Sequence, residues 1–221
     1  MTVTVKICGV TRPEDADAIV RARADFAGLV FHPRSPRHLP PDRAASLAER
    51  LRGRVRLVAL FADPADDDIA RAIAAVRPDF LQLHGSETPG RLAAIKARFG
   101  CPVIKAIAIA ERSDLDGLPA YEDVSDMLLF DAKAPAGATR EGGHGRAFDW
   151  QVLAGRTIRR PWLLAGGLTP HNVGRAIRTS GTQAVDVSSG VEQAPGIKDC
   201  DAIAAFVTAA RRTHPATEET V

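Results

Sequence analysis

Short apolar runs, most of them carrying β-branched residues, recur at eight places along the chain: VTVKI (3–7), FAGLVF (26–31), VRLVALF (55–61), DFLQL (79–83), VIKAIAI (103–109), DMLLF (126–130), WLLA (162–165) and AVDV (184–187). Each is too short for a helix and has the length of a buried strand. Helical periodicity fills the intervals. Ala44, Leu47, Ala48 and Leu51 stand at i, i+3, i+4 and i+7, Ile69, Ala72, Ile73 and Val76 repeat the pattern, and Ile203, Phe206, Val207 and Ala210 form one stripe over about 198–212. Helix-start signals agree: Thr11 with Glu14 three residues on, Pro41 before Asp42, and Thr169 followed by Pro170.

Regular alternation of strand and helix implies parallel strands joined by right-handed crossovers, and eight such units predict a single-domain α/β fold, the closed (β/α)8 TIM barrel. An open doubly wound sheet is the alternative. No linker divides the chain, so the barrel is expected to span 1–212, with 213–221 (THPATEETV) a tail that lacks periodicity and is expected to be disordered.

The composition narrows the function. The 221 residues carry 29 Lys plus Arg against 27 Asp plus Glu, a formal charge of +2, with two Trp, one Tyr and eight Phe. That balance lacks the basic footprint of a nucleic-acid binder and offers few stacking platforms for bases. No stretch has the roughly 18–20 apolar residues of a membrane span, so neither nucleic acid nor membrane is an expected partner. Cys8, Cys101 and Cys200 are odd in number and far apart, which suggests neither disulfides nor a zinc cage and fits a cytoplasmic location. The six His show no HxH or HExxH spacing, so no metal is expected.

In such a barrel the chemistry sits just beyond the carboxyl ends of the strands. The seventh and eighth runs lead into AGGLTPHNV and DVSSGVE, where Gly166, Gly167, Ser188, Ser189 and Gly190 offer small side chains, backbone N–H groups and hydroxyls suited to a phosphate. Cys8 closes the first run in KICG, with Lys6 two residues upstream on the same face, where an inward ammonium would favour a thiolate. Asp131 closes the sixth run, ahead of a long loop containing Gly137, Gly142, Gly143 and Gly145. His84 ends the fourth run and either lines the site or packs as a polar side chain; Asp186, inside the eighth, faces the barrel or bonds a neighbouring loop. Asp149 in FDW has the place of a helix cap. Of Arg34 and Arg37 in the proline-restrained HPRSPR loop, one suffices to bind a carboxylate.

KICGVT, GLVFHPRSPRHL, LQLHG, LLFD followed by GGHGRAFDW, LAGGLTPHNV, and DVSSGVE with GIKD occur in this order between residues 5 and 199. The ordered set resembles the phosphoribosylanthranilate isomerases of tryptophan biosynthesis. The resemblance implies a cofactor-free Amadori rearrangement of N-(5-phosphoribosyl)anthranilate to the 1-amino-1-deoxyribulose 5-phosphate. It makes Cys8 the general base and Asp131 the general acid, and puts the strand-two arginine on Arg37 instead of Arg34. Ala132 and Lys133 stand where the family pattern has Ser or Thr.

The implied partner is a small phosphorylated substrate, bound by Arg37, His84 and Asp186 and by the two phosphate loops, in a monomer or homodimer. Other readings remain: another pentose-phosphate isomerase or epimerase, or a sugar-phosphate sensor that binds without turnover. A metal-dependent epimerase would want paired His and Asp ligands at the strand ends, and the dual-substrate isomerases of histidine and tryptophan synthesis would place Asp where Cys8 stands.

Overall fold

The computed structural model describes residues 2–133 and 147–213. Eight parallel strands, β1 (Thr4–Cys8), β2 (Phe26–Val30), β3 (Arg56–Phe61), β4 (Phe80–Leu83), β5 (Val103–Ile109), β6 (Met127–Ala132), β7 (Trp162–Leu164) and β8 (Ala184–Val187), form one ring in sequence order. β8 pairs with β1 through Val5↔Val185 and Lys6↔Asp186, which closes the barrel and excludes the open sheet. The glycine-bearing segment after β6 and residues 214–221 of the expected tail lie largely or wholly outside the described residues.

Around the ring run α1 (Pro13–Arg21), α2 (Pro41–Leu51), α3 (Asp66–Val76), α4 (Pro89–Phe99), α5 (Leu118–Val124), α6 (Val173–Ser180) and α7 (Cys200–Arg212). Their apolar stripes face the strands. Ala44, Leu47, Ala48 and Leu51 of α2 are all buried, as are Ile203, Phe206, Val207 and Ala210 of α7. Three boundaries differ from the sequence expectation. α1 is opened by Asp15 instead of Glu14, its carboxylate accepting from the N–H groups of Thr11 (3.3 Å) and Arg12 (3.2 Å). The Thr169–Pro170 segment is a turn, because the Asn172 amide accepts from Thr169 N and donates to Gly167 O, and the helix waits until Val173. α7 begins at Cys200, capped by Asp199, so Lys198 lies outside it. Asp149 does cap, but over a single 3-10 turn at Trp150–Leu153.

The period of two along each strand divides the chain between two compartments. One parity faces the helices: Ile7, Leu29, Leu57 and Leu81, for example, belong to the larger core. The other parity fills the barrel. Its lower layers are apolar, with Phe26, Val58, Ile104, Leu129 and Leu163 packed together. Above them the same parity brings in polar groups, Lys6, Gln82 and Asp186, and then Cys8 and Asp131 at the carboxyl rim. A two-strand hairpin absent from the sequence expectation, β9 (Glu192–Ala194) with β10 (Ile197–Lys198), stands at the same rim.

Candidate active site

The two ends of KIC face inward together. Lys6 is fully buried and its Nζ meets Asp186 Oδ1 at 2.9 Å. Cys8 is 5% exposed, and its sulfur has room because position 28 on the neighbouring strand is glycine: a Cβ there would lie 2.8 Å from Cys8 Sγ and 3.3 Å from Lys6 Nζ. The sequence expectation that Lys6 points inward holds, but the thiolate it was expected to favour does not follow. Burial, helped by the negative charge of Asp186 nearby, pushes the Cys8 thiol up further than Lys6 and Lys198 pull it down. The Lys6 ammonium itself is disfavoured by burial, yet Asp186 and Cys8 outweigh this and hold it above its usual value.

Asp131 stands three strands from Cys8 around the ring (β1, β8, β7, β6), across the mouth. Its Oδ1 accepts from Ala132 N at 2.8 Å, and its Oδ2 lies 3.2 Å from His84 Nε2. His84 follows Gln82 by two residues, so both enter the barrel, and Gln82 Nε2 lies 3.0 Å from His84 Nδ1. Both ring nitrogens of His84 are therefore engaged with protein groups.

Arg37 is 6% exposed while Arg34 lies at the surface. The Arg37 guanidinium grips Glu192 with Nε and Nη2, each at 2.7 Å, and Lys198 Nζ reaches the same carboxylate at 2.8 Å. Lys198 also donates to the carbonyl and hydroxyl oxygens of Ser188, and the Ser188 hydroxyl donates to Cys8 O at 3.0 Å. The hairpin thereby ties the second, first and eighth strand ends together.

The loops after β7 and β8 touch. A Cβ on Gly190 would fall 1.8 Å from Leu168 O, so only glycine fits there. The N–H groups of Gly166, Gly167, Ser189 and Gly190 have no acceptor among the described residues, which leaves a cluster of donors at one corner of the mouth. Among the described residues no group of three or more His, Cys, Asp or Glu is arranged to hold a metal ion, and no helix is long and apolar enough to cross a membrane.

Cys8, His84, Asp131, Arg37 and the loops after β7 and β8 thus fall at the carboxyl rim, Asp186 lies one layer below it, and Arg34 stays at the surface. Gln82, Glu192 and Lys198 were not singled out. Alternation from His84 would have found Gln82; Glu192 and Lys198 lie in the quoted DVSSGVE and GIKD, but nothing in those letters marks a hairpin.

Comparison with known proteins places nearly the whole chain in one family. The family model described as N-(5'phosphoribosyl)anthranilate (PRA) isomerase matches residues 5–209. An N-(5'-phosphoribosyl)anthranilate isomerase from Paramagnetospirillum magneticum is 53% identical over 215 residues, covering 97% of this chain and all of the relative. The crystal structure of phosphoribosyl anthranilate isomerase from Thermotoga maritima superposes with a TM-score of 0.86 at 37% identity, covering 95% of this chain and 99% of that one. A phosphoribosyl anthranilate isomerase in complex with reduced 1-(o-carboxyphenylamino)-1-deoxyribulose 5-phosphate superposes with a TM-score of 0.81 at 34% identity, with the same coverage. With its closed barrel, its inward cysteine and aspartate, and a match running nearly end to end, the chain belongs to the N-(5'-phosphoribosyl)anthranilate isomerase family.

Proposed function

We propose that Asp131 and Cys8 are the acid and base with which this chain isomerises N-(5'-phosphoribosyl)anthranilate to 1-(2-carboxyphenylamino)-1-deoxyribulose 5-phosphate in tryptophan biosynthesis. The observation that carries this reading is their placement: a carboxyl and a thiol at strand ends across one mouth, with a corner of N–H donors that have no acceptor among the described residues between them in the order of the ring.

Asp131 gives its proton to the furanose ring oxygen. The C1'–O bond breaks as the anilino nitrogen lone pair forms a C1'=N iminium, leaving Asp131 a carboxylate that the Ala132 N–H and His84 steady. The iminium acidifies the proton on C2'. Its positive charge also favours the thiolate of Cys8, which burial disfavours. The thiolate takes the C2' proton, the C–H electrons form C1'=C2', and the nitrogen returns to neutrality. The enolamine then gains a proton at C1' and loses one from the 2'-hydroxyl to become the ketone, and Asp131 regains from solvent the proton it gave, matching the one Cys8 released to solvent on becoming a thiolate.

Gly166, Gly167, Ser189 and Gly190 hold the phosphate through their N–H groups, with Ser188 bracing the loop against Cys8 O. Arg37 Nη1 and the second Asp186 oxygen, which have no partner among the described residues, take the anthranilate carboxylate and a sugar hydroxyl, and His84 lines the site through Asp131. The steps use neither metal nor cofactor. Three free thiols fit a reducing cytoplasm, and the protein acts as a monomer or homodimer.

Turnover of the anthranilate substrate separates an isomerase from a sugar-phosphate sensor. Cys8→Ser and Asp131→Asn should each lower kcat by ~10²–10⁴ with folding nearly unchanged. Near-native turnover in either variant would remove that residue from the mechanism.

A further inference from the structure

Gln82 is fully buried inside the barrel, its Nε2 faces His84 Nδ1 at 3.0 Å, and its Oε1 has no partner among the described residues. A glutamine with a stranded acceptor is not there for stability, since a buried Met or Leu would fill the same space without that cost. We infer that Gln82 is a positioning residue for the reaction: it holds His84 as the neutral Nε2–H tautomer, so that the proton of Asp131 goes to the substrate and not to the imidazole.

A neutral imidazole carries one N–H and one lone pair, and Gln82 and Asp131 lie at its two ends. Suppose the lone pair faced Asp131. Imidazole is a stronger base than a carboxylate, so the acid would lose its proton sideways to His84, forming a carboxylate–imidazolium pair with nothing to give the ring oxygen. With the lone pair facing Gln82, the amide N–H occupies it. His84 then presents Nε2–H to Asp131 Oδ2, where it steadies the carboxylate left after proton donation without competing for the proton beforehand.

The reversed amide, with Oε1 toward the ring, requires a proton on Nδ1 and so turns a bare Nε2 toward Asp131 at 3.2 Å. Amide orientation, ring tautomer and availability of the acid are one linked choice. The stranded Oε1 belongs to the member of that choice in which Asp131 can act as an acid.

The inference rests on Asp131 being the acid, and the test separates the two. In the intact enzyme, 15N NMR of the histidine rings, with His84 assigned by comparison with His84→Gln, should show protonated Nε2 and unprotonated Nδ1 near neutral pH. Gln82→Met, which keeps the bulk, should lower kcat about tenfold to a hundredfold while KM moves little, as for other residues that act through a hydrogen-bonded neighbour. Gln82→Glu should lower kcat too and move the His84 proton to Nδ1. A wild-type His84 carrying the Nδ1–H tautomer or an imidazolium would overturn the inference, as would wild-type kcat in a folded Gln82→Met; the wild-type spectrum decides even if both variants misfold. If Asp131→Asn turns over normally, the assignment of the acid fails, whereas an inactive Asp131→Asn with an Nδ1–H His84 defeats this inference alone.

Discussion

Removing the charge of Glu192 tests the account of how the rim is held. One carboxylate serves two buried cations: Arg37 by two bonds of 2.7 Å and Lys198 by one of 2.8 Å, with the Lys198 side chain fully buried. Glu192→Gln keeps the shape but leaves both cations in the interior around a neutral amide. Breaking a buried pair from one side costs about 3–5 kcal/mol. In a chain of this size each kcal/mol moves Tm by roughly 2–4 °C, so a fall of ~6–20 °C is expected.

The pH dependence has a definite sign. Burial pushes the Glu192 carboxyl up, but Arg37 and Lys198 outweigh it and hold it below 4.5. A depressed carboxylate stabilises the fold above its unfolded value and loses that contribution as pH falls through the lower folded one. The gap between wild type and Glu192→Gln should therefore be full at neutral pH and close progressively below about 4.5. Urea unfolding followed by Trp150 and Trp162 fluorescence, at neutral and acid pH, measures both. A gap under about 1 kcal/mol at neutral pH, against the 3–5 expected, or one that persists undiminished into acid, would refute the reasoning.

Gly190→Ala should drive the loops after β7 and β8 apart, because its Cβ would lie 1.8 Å from Leu168 O; if these loops hold the phosphate as proposed, KM for the phosphorylated substrate should rise at least tenfold and inorganic phosphate should compete poorly, and unchanged KM would count against the phosphate site. Burial pushes the Cys101 thiol up to about 11, so its alkylation, followed by peptide mapping, should be slow at neutral pH and accelerate only toward that value, without loss of activity that Cys8 modification does not explain. Activity should survive exhaustive EDTA treatment, and loss reversed by zinc or iron would revive the epimerase reading.

The barrel was legible because its strands are buried on both faces and so appear as short continuous apolar runs, set between helices with clean stripes. Cys8, Asp131 and the loops after β7 and β8 were legible because strand ends are fixed by where those runs stop. What escaped depends on side chains that meet only in three dimensions. Lys6 could be placed inside by alternation, but that Asp186 meets it and so weakens its hold on Cys8 needed the closing pair of strands, β1 with β8. The hairpin at Glu192–Lys198 is too short to leave a periodic signal, yet it supplies the carboxylate that occupies most of Arg37. Thr169–Pro170 carries a good helix-start signal that Asn172 overrides by satisfying the turn locally.

The central claim is a division of labour: Asp131 opens the ring and Cys8 removes the C2' proton. Substrate deuterated at C2' tests it directly, through the isotope effect on kcat in wild type, Cys8→Ser and Asp131→Asn. Weakening the base makes C2'–H cleavage slowest, so Cys8→Ser should show a larger primary isotope effect than wild type; weakening the acid makes ring opening slowest, so Asp131→Asn should show little or none. A large isotope effect in Asp131→Asn together with none in Cys8→Ser would contradict the assignment.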